Sequence, residues 1–114
     1  MHELSIALSI LALAEDESKR RGGARVEAIY LKIGVLSGVA KAALLSVFQL
    51  ATERSEYETC RLVIEDIPIS GYCSKCQSEK PIHSLQCLQC TNCGNAISEV
   101  LHGRELELSA LELV

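Results

Sequence analysis

The chain has 114 residues and a formal net charge of −4, with 48% apolar but only 4% aromatic side chains. That length suits one domain or a domain with a small appendage, and the acidic balance excludes a general attraction to phosphate backbones or anionic membranes. The apolar content excludes wholesale disorder, while six cysteines set a second theme.

The elements follow in chain order. Leu4, Leu8, Leu11 and Ile6, Ile10, Leu13 recur at helical spacing, with Ala7 and Ala14 between them. Lys19, Arg20 and Arg21 suit the negative end of a helix dipole, and Gly22-Gly23 stops the helix, so the first helix is expected over residues 3–21. The charged stretch EDESKRR is a solvated face. RVEAIYLKIGVLS is β-rich and closes at Gly34, giving the first strand. Ser37 or Gly38 is the expected cap of a second helix over 39–54, with Ala40, Leu44, Val47, Phe48 and Ala51 at helical spacing. RLVIEDIPI reads as the second strand, ended near Pro68 because proline brings no N–H to a ladder.

From Gly71 to Ala96 the character changes. Five of the six cysteines fall here, and the large aliphatics shrink to Ile82, Leu85 and Leu88. Such a stretch cannot bury enough apolar surface to fold alone. Beyond it, ELELSALEL alternates as a strand, with a bulge expected near Ala110, and returns to pair with the first two. The fold class is therefore α+β: two helices packed on a small three-stranded sheet, with an inserted four-cysteine zinc-ribbon module. The expected domains are 1–70 plus 97–114, and 71–96.

Cys73-Ser-Lys-Cys76 and Cys90-Thr-Asn-Cys93 are two C-x-x-C turns with 13 residues between them. Each turn aims two sulfurs at one point, and two facing turns offer four thiolates to a tetrahedral ion such as Zn2+. Gly94, directly after Cys93, suits a turn of positive φ. Cys87-Leu-Gln-Cys90 is also C-x-x-C, so a quartet of 73, 76, 87 and 90 is the alternative. The trailing Gly-Asn favours 90 and 93, leaving Cys87 a spare thiol and Cys60 a small core residue. His83 reads as a surface residue and His102 as a turn residue.

A closed four-cysteine site has no position for substrate or water, so it points to a structural metal and away from a hydrolase. Binding there supplies about 10 kcal/mol or more of folding free energy. A ribbon that reads nucleic acid fares badly, since the module holds only Lys75 and Lys80 as fixed positive charges and almost no stacking aromatics. A rubredoxin-like iron carrier uses the same ligands and would be coloured. Nothing suggests an enzyme: no Ser/His/Asp arrangement, phosphate-cradling loop or open-site metal motif is recognisable.

SIALSILALA resembles a secretory signal, but Glu3 precedes it, Lys and Arg do not, and it falls short of the roughly 15–30 residues such signals need. No apolar run approaches the roughly 20 residues of a membrane span. The reading is cytoplasmic, where thiols stay reduced and cysteines serve metal or redox chemistry before disulfides.

The chain opens Met1-His2-Glu3-Leu4. The Met1 amine and the His2 amide nitrogen close a five-membered chelate ring, the His2 amide and its own imidazole Nδ1 a six-membered one, and the Glu3 amide nitrogen is within reach. Nickel favours square-planar nitrogen donors of this kind. Amide nitrogens bind only when deprotonated, so affinity should rise with pH.

The opening Met1-His2-Glu3-Leu4-Ser5, the IGVLSGV at 33–39 between strand and helix, the two cysteine pairs and the CTNCG at 90–94 together resemble the HypA/HybF family of hydrogenase nickel-incorporation proteins. The order of elements agrees, and the resemblance covers essentially the full chain. It implies a nickel metallochaperone that binds Ni2+ through His2 and the backbone nitrogens of Met1, His2 and Glu3, with the Glu3 carboxylate in support. Structural zinc would sit at Cys73, Cys76, Cys90 and Cys93. The nickel would pass, with a HypB-type GTPase, to the large subunit of [NiFe]-hydrogenase; some members also serve urease. Cys87 departs from the family pattern. The alternative is a zinc-ribbon adaptor between proteins with no exchangeable metal.

Overall fold

The computed structural model describes residues 2–114. It contains α1 (Glu3–Arg20), β1 (Val26–Gly34), α2 (Lys41–Thr52), β2 (Arg61–Ile67), β3 (Ser70–Cys73), β4 (Ser78–Pro81), β5 (Glu99–His102) and β6 (Leu106–Leu113). Two three-stranded sheets result, ordered β2-β1-β6 and β4-β3-β5. The expected α+β class holds: two helices accompany the first sheet, and the cysteine module lies between two of its strands.

The chain divides into two compact units, the first comprising Met1–Lys32, Val39–Glu65 and Glu107–Val114, the second Ile33–Gly38 and Asp66–Leu106. Short backbone bonds explain why residues 33–38 cluster with the cysteine module. The N–H groups of Gly34, Val35 and Leu36 donate to the carbonyls of Glu105 (2.8 Å), Ile67 (3.2 Å) and Gly103 (2.6 Å). A Cβ on Gly34 would lie 2.1 Å from the carbonyl carbon and oxygen of Gly103, so only glycine permits this approach.

In the first unit α1 buries Glu3, Ala7, Ile10 and Ala14, and α2 buries Leu44, Phe48 and Thr52. The buried stripe of α1 thus includes two small residues, Ala7 and Ala14, beside Ile10. Leu4, Leu8 and Leu13, expected on the apolar side, remain 55%, 53% and 58% exposed. Central strand β1 is buried or half-buried throughout. Reciprocal bonds between Arg25 and Val114 (3.3 and 2.9 Å) tie its start to the end of β6, the mark of antiparallel neighbours. β6 runs from Leu106 to Leu113, and its half-buried positions shift phase between Leu108 and Leu111, as the sequence pattern did.

Neither Ser37 nor Gly38 caps α2. The cap is Ala40, which has no side chain to offer. Its own N–H donates instead to Oε2 of Glu3, 3.2 Å away on α1. In a capping box the third helical residue supplies such a bond to the N-cap N–H from within the same helix; here another helix supplies it.

In the second unit β3 pairs antiparallel with β4 and with β5, the latter with an irregularity between Ser70 and Gly71. Pro81 ends the edge strand β4, where its missing N–H costs no ladder bond. A bridge between Gln89 and Ala96 flanks the second cysteine turn. The core is small: Cys73, Ile82, Cys90 and Ile97, with Ile69, Cys76, Cys93 and Val100 partly buried against it. Half of these side chains are thiols, as expected of a module too poor in aliphatics to close on itself.

Candidate functional site

Both cysteine turns follow one local plan. The first sulfur of each is buried, Cys73 at 0% and Cys90 at 3% exposure, and the second, Cys76 or Cys93, is half-buried. In each turn the N–H of the second cysteine donates to the sulfur of the first, Cys76 to Cys73 and Cys93 to Cys90, both at 3.4 Å. The residue after the second cysteine then takes positive φ: Gly94 at 75° and Gln77 at 54°. The turn geometry is thus set by the C-x-x-C spacing and enforced even where the sequence provides no glycine.

The four sulfurs lie within 4.8 Å of one another, the one such grouping of His, Cys, Asp or Glu ligand atoms among the described residues. Cys73 and Cys93 approach to 3.5 Å and Cys76 and Cys90 to 3.8 Å. A tetrahedral ion bound at about 2.3 Å to each sulfur requires sulfur–sulfur edges of about 3.8 Å. These two approaches lie close to that edge, so the grouping suits a thiophilic tetrahedral cation. The alternative quartet is not assembled: Cys87 is exposed, and its thiol donates to Oε1 of Gln89 at 3.2 Å.

The electrostatics of the four thiols are uneven. The backbone N–H of Cys93, joined by that of Asn92, draws the Cys90 thiol down to about 6 against the opposing effect of burial. The Asn95 N–H pulls in the same direction on Cys93, but burial and the neighbouring thiols outweigh it and push that group up to about 11. Gathering four sulfurs in one place favours one shared negative charge over four, until a cation supplies the balance.

At the other candidate site, His2 is the N-cap of α1 and is exposed; its carbonyl accepts the Ile6 N–H at 3.0 Å. Glu3 is buried, 7% exposed, with its carboxylate on the Ala40 N–H. The expected Met1 ligand lies outside the described residues. This bond to Ala40 was hidden from sequence reasoning, because the two residues stand 37 positions apart.

Of the remaining candidates, Cys60 is buried, and burial raises its thiol. His83 is exposed. His102 is not a turn residue; it ends β5, with Nδ1 2.7 Å from Glu105 and Nε2 3.7 Å from Glu79. The imidazole and the Gly103 N–H hold the Glu105 carboxyl below the usual range. Among the described residues no helix is long and apolar enough to cross a membrane.

Residues 1–113 match the family profile described as HypA, hydrogenase/urease nickel incorporation, metallochaperone. The hydrogenase maturation factor HypA of Roseiflexus sp. (strain RS-1) is 40% identical over 112 residues, covering 98% of this chain and 91% of that one. Its counterpart from Chloroflexus aggregans (strain MD-66 / DSM 9485) is 38% identical, covering 98% of each. The solution structure of the Ni metallochaperone HypA from Helicobacter pylori superposes with a TM-score of 0.67 at 27% identity, covering 100% of this chain and 98% of that one. A second solution structure, of HypA protein, gives 0.72 at 27% identity, covering 100% and 97%. A paired-cysteine cage, a His-Glu helix start and a match along nearly every residue converge on one conclusion: the chain belongs to the HypA family of nickel-incorporating metallochaperones.

Proposed function

We infer that this protein is a nickel metallochaperone of hydrogenase maturation, with two metal sites of different kind. The observation that carries the reading is the family match over residues 1–113, which spans both the His2-Glu3 start of α1 and the four-cysteine cage. The cage holds structural zinc at Cys73, Cys76, Cys90 and Cys93. The donor set is all thiolate and leaves no open position, so this ion is a resident that supports the module.

Nickel is the cargo. It binds at the start of α1 through the His2 imidazole and the backbone nitrogens of Met1, His2 and Glu3. First-turn N–H groups have no acceptor within their own helix, so deprotonating them breaks no rung of the ladder. The imidazole is exposed, as a site that must both load and unload requires. Glu3 acts through position: its bond to Ala40 fixes the first turn of α1 beside α2.

Delivery goes by way of a HypB-type GTPase to the large subunit of [NiFe]-hydrogenase, with urease a second recipient class. Leu4 and Leu8, more than half exposed on the first two turns of α1, give a protein partner an apolar foothold beside the cargo. The four clustered thiols suit a reducing cytoplasm.

The test is isothermal titration of nickel into zinc-loaded, untagged protein. About one nickel per chain is expected. His2→Ala, or one residue added ahead of Met1, should abolish that binding while zinc is retained. Nickel uptake unchanged by both alterations would overturn the assignment.

A further inference from the structure

The N–H donors that surround the four sulfurs come from different sources. Cys90 receives two backbone N–H groups, from Asn92 and Cys93, both at 3.4 Å. Cys73 receives the backbone N–H of Cys76 at 3.4 Å. Cys76 is served differently: Nδ2 of Asn92 donates to its sulfur at 3.6 Å, reaching from the second cysteine turn to the first. Among the described residues this is the one side-chain amide bonded to a sulfur of the cage.

A four-thiolate cation site carries excess negative charge. N–H donors to sulfur withdraw part of it and favour metal-bound thiolate over free or protonated thiol. Backbone donors are guaranteed by the C-x-x-C turn whatever the side chains are. The donor to Cys76 depends on residue 92 being an amide. Asn92 also ties the two turns together, since its backbone N–H faces Cys90 while its side chain faces Cys76, 16 positions away in sequence.

We propose that Asn92 is a positioning residue of the metal cage, its side-chain amide setting the charge on the Cys76 sulfur and strapping the two turns around the ion. The proposal rests on the reading of the cage as a metal site. It predicts an uneven consequence: without the amide, Cys76 becomes the sulfur from which the ion detaches first, whereas Cys90 keeps both of its donors.

The experiment uses full-length protein loaded with zinc, and separately with cobalt, comparing Asn92→Ala and Asn92→Asp with the parent chain. Asn92→Asp is nearly isosteric and removes only the donor, adding a negative charge. Chelator competition should show zinc held about tenfold less tightly in Asn92→Ala, and less tightly still in Asn92→Asp. Time-resolved alkylation with peptide mapping should show Cys76 modified several-fold faster while Cys90 keeps its rate, and the sulfur-to-cobalt charge-transfer band should shift. A general loosening would accelerate all four cysteines together, and that outcome overturns the proposal. So does unchanged zinc retention with unchanged Cys76 reactivity. If the parent chain itself took up neither zinc nor cobalt, the metal reading would fall with the proposal.

Discussion

Glu3 belongs to the expected nickel motif and also makes a structural bond. Its carboxylate is buried and accepts the N–H of Ala40, a group that would otherwise enter α2 without a partner. Glu3→Ala should destabilise the protein by about 1–3 kcal/mol, the cost of leaving such a donor unsatisfied. Glu3→Gln keeps an acceptor oxygen and should retain most of that stability, measured as urea midpoints. If Glu3→Gln also keeps its nickel stoichiometry, the carboxylate is a support and not a ligand. Gln77 offers a second check at this scale. It adopts a φ of 54° where the equivalent position in the other turn is Gly94. Gln77→Gly should stabilise the metal-loaded protein by about 1 kcal/mol by relieving the left-handed backbone. A lower thermal midpoint would show that the turn is not strained. The cysteine cluster was legible in the sequence because its geometry is local: two sulfurs, two intervening residues, one turn. The choice between Cys87 and Cys93 was open on spacing alone; the sulfurs that cluster are those of Cys73, Cys76, Cys90 and Cys93. Glu3's partner was not legible, since nothing near Ala40 announces that a carboxylate from the first helix will arrive.

Among the elements, strong periodicity or alternation revealed the long ones, and short or long-range features escaped. Both helices and the strands β1, β2 and β6 emerge within a few residues of their expected limits. β5, four residues long and half-exposed or exposed, carries no alternating signal strong enough to separate it from a loop. Which face of α1 is buried was also illegible. Leucines at 4, 8 and 13 have the right spacing for a core, but they stay more than half exposed while Ala7, Ile10 and Ala14 are buried. Hydrophobicity alone therefore ranks these helix positions wrongly. The leucines left outside are the natural place to look for partner binding.

For the molecule as a whole, the distribution of elements between the two units gives metal removal a distinct signature. Both helices belong to the first unit, whereas all four clustered cysteines belong to the second. Stripping the metal proposed for the cage with a chelator should accelerate amide exchange through residues 66–106 and leave helical ellipticity largely intact. Loss of helical signal at the same chelator concentration would show instead that the first unit depends on the metal. Chain order adds a temporal constraint. β6, which flanks β1 in the three-stranded sheet, follows the cysteine module in sequence. A ribosome adds roughly 5–20 residues per second, N-terminal portions first. For the seconds before Leu106 emerges, one edge of β1 waits unpaired while the sulfurs are already in solution, so capture of the ion proposed for the cage has the opportunity to precede closure of the sheet.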